Sequence, residues 1–282
     1  MRIFITGAGG QLAKSISSIY LKEDLYLASR DKLDISDKDQ ASKLISEFKP
    51  DIIFHFASLT RGDECAKNPD MAFKINVKGT ENIVRICKKN NIPLLFVSTN
   101  EVFDGRKKSA YTEKDKPNPI TVAGKTKLEA ENIIKENLKK YFIIRTSWLY
   151  SEWSANFLHA VLDKARKDKQ IELVEDEISS PTYSTDLAKA IKKLIKTRKY
   201  GTYHLSNIGS VSRLEFANKA FEICGIKDIK IIPITLDKFK RLSKPPLFTP
   251  LNSDKAKKIQ IRMPRWNNAL ERFLIKNKNL FI

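Results

Sequence analysis

The sequence predicts an α/β protein: a doubly wound parallel sheet with a smaller α/β lobe towards the C-terminus. Three observations carry this. The apolar run Arg2–Thr6 leads into Gly7-Ala-Gly-Gly-Gln-Leu12, followed by an amphipathic pattern at Leu12, Ile16, Ile19 and Tyr20. Further β-forming runs at Leu25–Ala28, Ile52–Ala57, Pro93–Val97 and Tyr141–Arg145 alternate with helical patterns, the rhythm of crossover units in a parallel sheet. The length of 282 residues accommodates one large domain and a lobe packed together, and no low-complexity linker separates them.

The first unit reads as strand, glycine turn, helix. Glycines let the backbone approach a pyrophosphate, and the helix N-terminus offers unpaired N–H groups and a positive dipole end. Ala13 stands where a third glycine often sits and is small enough for close helix–strand packing. Leu25–Ala28 is the second strand. Its end sets nucleotide choice, because an acidic residue there binds ribose hydroxyls and favours NAD. Here it is followed by Ser29-Arg30, a hydroxyl and a guanidinium that suit a 2′-phosphate, so NADP(H) is expected, with NAD(H) left open. Ser36–Asp39 caps a helix to about Phe48.

Ile52–Ala57 is a buried-looking strand whose end, Ala57-Ser58, is placed against the dinucleotide; His55 is given no chemical role. Pro69-Asp70 starts a helix from Met71 to about Asn90, with Phe73, Val77, Ile83, Val84 and Cys87 as its inner face. Pro93–Val97 ends in Ser98-Thr99, at the carboxyl end of the sheet, where such folds bind ligands. A polar loop, Arg106–Asn118, leads to a helix from about Pro119 to Lys139 that carries Lys127; the strand Tyr141–Arg145 follows. Beyond it come the helix Asn156–Lys169, the strand Ile171–Val174, the loop Asp176–Thr182, the helices Ser184–Lys196 and Ser212–Cys224, and a proline-rich stretch from Pro233 to Pro250. Residues 1–150, with parts of 184–205, are expected to form the dinucleotide-binding domain of Rossmann type, and residues 151–183 and 206–282 the substrate-binding lobe.

Composition excludes more than it assigns. No apolar run approaches the roughly 18 residues of a membrane span, and the N-terminus goes straight into a strand without the regions of a signal peptide. Three widely spaced cysteines, Cys65, Cys87 and Cys224, give neither a zinc spacing nor a disulfide framework, so a cytoplasmic location is expected. The net charge of +19, from 52 basic and 33 acidic residues, is spread over polar helix faces such as Lys88-Lys89, Lys139-Lys140 and Lys192-Lys193. No arginine-rich arm or nucleic-acid motif accompanies it, so the charge is read as suiting an anionic cofactor and substrate rather than DNA or RNA. No acidic cluster supports a metal site.

Taken together, these marks resemble the extended short-chain dehydrogenase/reductase family, and within it the RmlD-like substrate-binding subfamily. The resemblance spans nearly the whole chain, through Gly7–Leu12, Leu33-Asp-Ile-Ser-Asp37, Ser98-Thr-Asn-Glu-Val-Phe-Asp-Gly105, Gly124-Lys-Thr-Lys-Leu128, Arg145-Thr-Ser-Trp148, Asn156-Phe157, Ser180-Pro-Thr182, Gly201-Thr-Tyr-His-Leu205 and Pro264-Arg-Trp-Asn-Asn-Ala-Leu270. It implies NADP-dependent reduction of the C4 keto group of a nucleotide-linked 6-deoxysugar, of the type dTDP-4-dehydro-L-rhamnose to dTDP-L-rhamnose. It also implies roles. Gly7, Gly10, Gln11 and Leu12 would hold the pyrophosphate, with Arg30 on the adenosine side and Asp34 also on the cofactor. Thr99 would hydrogen-bond the C4 carbonyl, and Lys127 would bind the nicotinamide ribose. Thr60, Asn100, Glu101, Trp148, Asn156, Ser180 and Pro181 would line the sugar-nucleotide pocket. Some relatives dimerise, so a homodimer is an assembly the resemblance allows.

The departure from the family is at the proton donor. The pattern of tyrosine, three residues, lysine falls here on Ala123 and Lys127, one helical turn apart. Nearby, Asn100 and Glu101 replace the aspartate and tyrosine common in relatives. Three outcomes stay open: a water in the phenol's place gives a slow reductase; Glu101 or Tyr111 donates the proton; or the chain is a non-catalytic NADP-binding partner, as with the relative that regulates methionine adenosyltransferase.

Overall fold

The computed structural model describes residues 1–281. Its elements in order are β1 (Arg2–Thr6), α1 (Gln11–Ile19), β2 (Asp24–Ala28), α2 (Lys38–Phe48), β3 (Ile52–His55), α3 (Gly62–Lys67), α4 (Pro69–Phe73), a π turn (Lys74–Lys78), α5 (Gly79–Asn90), β4 (Leu94–Thr99), a 3₁₀ turn (Asn100–Val102), α6 (Val122–Asn137) and β5 (Tyr141–Thr146). There follow β6 (Leu149–Tyr150), α7 (Phe157–Lys167), β7 (Gln170–Val174), β8 (Ile178–Ser179), β9 (Thr182–Tyr183), α8 (Ser184–Thr197), β10 (Gly201–His204), β11 (Val211–Ser212), α9 (Arg213–Cys224), β12 (Lys230–Ile234), α10 (Asp254–Lys257), α11 (Trp266–Lys276) and α12 (Lys278–Phe281).

Six strands form one parallel sheet in the order β10-β5-β4-β3-β1-β2. β1 pairs β2 on one side and β3 on the other, so the chain reverses direction across the sheet there and opens a crevice beyond the carboxyl ends of β1 and β3. The inner strands are buried on both faces, which is why Ile3-Phe4-Ile5 and Ile52-Ile53-Phe54 read as unbroken apolar runs. One face carries α1 and α8, packed through Leu12, Ile16, Leu187 and Ile191. The other carries α2, α5 and α6, packed through Ile45, Ile83, Val84 and Ile134. A third core, centred on Tyr150, Leu162, Phe216 and Phe273, belongs to the C-terminal lobe, where β7 and β12 form a parallel pair.

Helix starts follow local chemistry. Asp37 caps α2 by accepting from the amides of Asp39 and Gln40, and Ser212 with Glu215 forms a capping box on α9. Two sequence expectations need correction. The helix α3 was not foreseen. The helix starting near Met71 is interrupted by the π turn at Lys74–Lys78, whose extra residue rotates the faces on either side relative to each other. Phe73, expected on the inner face, therefore points outward and is 46% exposed, while Val77, Ile83, Val84 and Cys87 are buried.

Candidate active site

The glycine turn is built for close approach. Gly7 has φ +69, and a Cβ there would lie 2.5 Å from the Ala57 backbone nitrogen. Only glycine combines that left-handed backbone with contact to β3's end. The Ala57 amide donates to Thr6 Oγ1 at 3.1 Å. Gly10 leads into α1 with extended backbone; no side chain caps the helix and its first turn holds no acidic residue. The residues therefore fit a dinucleotide pyrophosphate, whose charge meets a free helix N-terminus and no competing carboxylate. Gln11 accepts from Ser151 Oγ at 2.9 Å, which draws the loop after β6 over this turn. Leu12 is buried beneath it.

At the end of β2, Arg30 is exposed. Asp31 is held below the usual carboxylate range chiefly by a hydrogen bond from Ser29. Asp34 Oδ1 accepts from the amide and hydroxyl of Ser36 at 2.9 and 2.7 Å, so this carboxylate also shapes the turn into α2.

Lys127 projects from α6 to the end of β3. Its Nζ lies 3.4 Å from Ser58 Oγ and 4.0 Å from the Phe96 ring centroid. Burial lowers its pKa to about 7, against the opposing pull of Glu131 and Cys65. The lysine is held in place by a residue that sequence reasoning missed. Asn76, in the π turn, accepts from Ser58 Oγ at 2.9 Å and from the Leu59 amide at 2.7 Å; it donates to Thr126 Oγ1 at 3.0 Å. One turn beyond Lys127, Glu131 receives a bidentate pair from Arg145, at 2.8 and 2.6 Å, with both residues buried.

Ala123 occupies the first turn of α6 and packs with Cys65, Ala72, Leu59 and Val122. Thr99, at the last position of β4, donates to Asn100 Oδ1 at 3.2 Å and accepts from the Glu101 amide at 3.2 Å. Asn100 turns away into the fold, donating to Thr249 Oγ1 at 2.6 Å and Ser179 Oγ at 3.3 Å. Glu101 lies beside the start of α6: a Cβ on Gly124 would meet its carbonyl oxygen at 2.2 Å. Thr121, the N-cap of α6, donates to Glu101 Oε2 at 2.8 Å. Burial raises the Glu101 pKa, with Glu177 adding to the rise and Thr121, Arg241 and Arg213 opposing it. Tyr111 is committed elsewhere: its hydroxyl donates to Asp104 at 3.0 Å and its ring stacks on Phe103.

A cavity of about 720 Å³ opens in the C-terminal lobe, lined by Phe157, Val161, Leu173, Glu177, Arg213 and Arg241 among others. Its apolar wall and two guanidiniums suit a flat base carrying a diphosphate. Glu177 pairs with Arg213 at 3.3 Å and Arg241 at 3.7 Å. Arg213 stacks on Trp148, 3.5 Å from its ring centroid. Trp148 has φ +41, an unfavourable backbone for a bulky residue, which costs roughly 1–3 kcal/mol and clusters at functional sites.

The remaining predicted residues have defined positions. Asn156 caps α7, accepting from the Leu158 amide and donating to Ser151 and Ser154 carbonyls. Ser180 is buried and donates to the Gly209 carbonyl at 2.8 Å, with Pro181 buried beside it. Thr60 is exposed just before α3. The structure thus brings Ser58, Thr99, Glu101 and Lys127 to the carboxyl ends of β3 and β4, adds Arg213, Arg241 and Glu177 from the lobe, and gives Asn100, Asn156 and Ser180 hydrogen bonds within the fold.

The family model for the RmlD substrate binding domain matches residues 1–279. The chain is 33% identical to the dTDP-4-dehydrorhamnose reductase of Aggregatibacter actinomycetemcomitans, over 96% of this chain and 97% of that protein. It is similar to the crystal structure of the dTDP-4-dehydrorhamnose reductase of Bacillus anthracis in complex with NADP, with TM-score 0.94, 36% identity, and coverage of 98% of this chain and 99% of that one. It is also similar to a reductase structure of the same description from Clostridium acetobutylicum, with TM-score 0.94, 32% identity, and coverage of 99% and 100%.

Proposed function

The chain belongs to the family of the RmlD substrate binding domain, and from that premise we propose that it is an NADP-dependent reductase that converts dTDP-4-dehydro-L-rhamnose, a nucleotide-linked 4-keto-6-deoxysugar, to dTDP-L-rhamnose. The observation that carries this is a single arrangement. The buried Lys127 and the Thr99 hydroxyl stand at the carboxyl ends of the sheet, and the field of Arg213 and Arg241 from the lobe cavity reaches Glu101 beside them. The relatives from Aggregatibacter actinomycetemcomitans, Bacillus anthracis and Clostridium acetobutylicum carry this activity in their names, and the Bacillus anthracis one was crystallised with NADP.

In this reading Gly7, Gly10, Gln11 and Leu12 hold the cofactor pyrophosphate, Arg30 and Asp34 serve its adenosine half, and Ala57 and Ser58 flank it. Lys127 holds the nicotinamide ribose. When bound, the nicotinamide supplies a hydride to the carbonyl carbon. Thr99 turns its hydroxyl from Asn100 to the C4 oxygen, where negative charge develops. Arg213 and Arg241 bind the sugar nucleotide's diphosphate, and Trp148, with Arg213 stacked on it, forms a wall of the pocket. The test is NADPH consumption with dTDP-4-dehydro-L-rhamnose; NADPH binding without turnover, in this protein and in an Ala123→Tyr variant, overturns the reading.

Ala123 favours a second reading, an NADP-binding partner subunit with no chemistry of its own, and the same experiment separates the two. Our reading places the protein in the cytoplasm. Among the described residues no helix is long and apolar enough to cross a membrane. A homodimer is the assembly we favour, and a monomer mass by light scattering removes it.

A further inference from the structure

We propose that Glu101 is the proton donor of this site, taking over the role of the phenol that Ala123 lacks. The inference rests on the reductase reading above.

The geometry supplies three requirements of a general acid. The first is position. Glu101 follows Thr99 by two residues, and its backbone is pressed against Gly124, the neighbour of Ala123, so closely that a Cβ there would approach its carbonyl oxygen to 2.2 Å. The Glu101 backbone thus sits where β4 meets α6, and its carboxyl reaches Thr121, the N-cap two residues before position 123. The second is orientation. The Glu101 amide is tied to Thr99 Oγ1 at 3.2 Å and Oε2 to Thr121 Oγ1 at 2.8 Å, which leaves Oε1 as the oxygen to carry a transferable proton. The third is environment. The groups that face it are Thr121 on α6, Glu177 before β8, Arg213 on α9, Arg241 in the loop after β12, and Cys65 on α3, which also feels Lys127. Burial and Glu177 push Glu101 towards the protonated form, and the two arginines and Thr121 oppose them. A carboxylic acid kept protonated nearer neutrality is matched to proton donation at working pH.

Atoms and charges balance. As the C4 carbonyl carbon gains its new C–H bond, the π pair moves onto oxygen. The Glu101 Oε1–H bond breaks, its proton forms the new sugar O–H, and Glu101 is left as a carboxylate. Water entering after product release returns the proton. Thr99 steadies the oxygen while its charge is greatest. Tyr111 is excluded from this role by its commitment to Asp104 and Phe103.

Glu101→Gln keeps the shape and the Thr121 hydrogen bond but cannot donate an acidic proton. It is expected to lower kcat by about 10²–10⁴-fold, with NADPH affinity measured by fluorescence unchanged. In ¹³C-glutamate-labelled protein, the carboxyl resonance missing from Glu101→Gln is expected to titrate above the ordinary 4.5. Retained activity in Glu101→Gln, or a resonance titrating at or below the ordinary value, overturns the proposal. If Ala123→Tyr turns substrate over and the unaltered protein does not, the reductase reading stands and Glu101 falls. If neither turns over, the reading falls and takes this proposal with it. Melting temperatures of both variants confirm that folded protein is compared.

Discussion

Thr121 Oγ1 lies 2.8 Å from Glu101 Oε2 while accepting the Gly124 amide at 3.0 Å. One hydroxyl therefore caps the helix that carries Lys127 and holds the carboxyl beside it. Thr121→Val removes both bonds. The lost cap costs about 0.5–2 kcal/mol of stability, read by urea denaturation. The lost hydrogen bond was lowering the Glu101 pKa, so that pKa rises further. Since the acid must be protonated to act, the rate falls as pH rises through its pKa, and in Thr121→Val that fall is expected at higher pH. An unmoved pH profile argues that Glu101 is not the titrating acid.

Lys127 sets function against stability. Its pKa drops from 10.5 in the unfolded chain to about 7 in the fold. Between these values the unfolded state binds more protons, so this residue's contribution to stability rises with pH from about 7 to 10.5 and its penalty is full below 7. Lys127→Met is expected to abolish turnover and weaken NADPH binding, yet to gain stability relative to the parent most strongly below pH 7. Denaturation of both proteins across that range, with the difference shrinking towards alkaline pH, checks it.

The Glu131–Arg145 pair supports the same helix. Glu131→Ala leaves Arg145 buried without its partner, at a cost of about 3–5 kcal/mol, measured by denaturant midpoint. Its burial opposes ionisation, but Arg145 outweighs this and holds the carboxyl pKa at about 2. Its contribution is thus fully present above the ordinary 4.5 and fades as pH falls towards about 2, so the variant and parent should converge in strong acid.

Arg30 is exposed at the end of β2. Arg30→Ala should weaken NADPH binding roughly tenfold, the loss of one charge-assisted contact of about 1.5 kcal/mol, and leave NADH affinity unchanged. Titration by nicotinamide fluorescence distinguishes the two; equal loss for both cofactors rejects a contact to the 2′-phosphate.

The sequence makes some of this site legible and hides the rest for physical reasons. The glycine turn can be read because its requirement is local: Gly7 needs a positive φ and the next strand passes directly over it. Lys127 can be placed one turn from Ala123 because helical spacing is regular. Arg213, Arg241 and Glu177 gave no such signal. They meet through the fold of the lobe, with Glu177 36 positions from Arg213, the nearer of its two arginine partners in the chain, a separation that no local pattern encodes. The family resemblance alone implies Asn156 and Ser180 as pocket residues, and the structure shows backbone partners for both. The π turn escaped because Phe73, Val77 and Val84 look like one apolar stripe until the extra residue is counted.

That π turn holds one residue more than a regular helix would between α4 and α5. A chain with one residue deleted within Lys74–Lys78 could run as uninterrupted α-helix from Pro69 to Asn90. It would gain regular hydrogen bonding, and Phe73 would rotate towards the face it was expected to occupy. The same rotation would swing the Asn76 amide out of reach of Ser58, Leu59 and Thr126, and release the strand end against which Lys127 rests. Mutational scanning by single-residue deletion would therefore find a segment where a shorter chain folds well and binds its cofactor poorly.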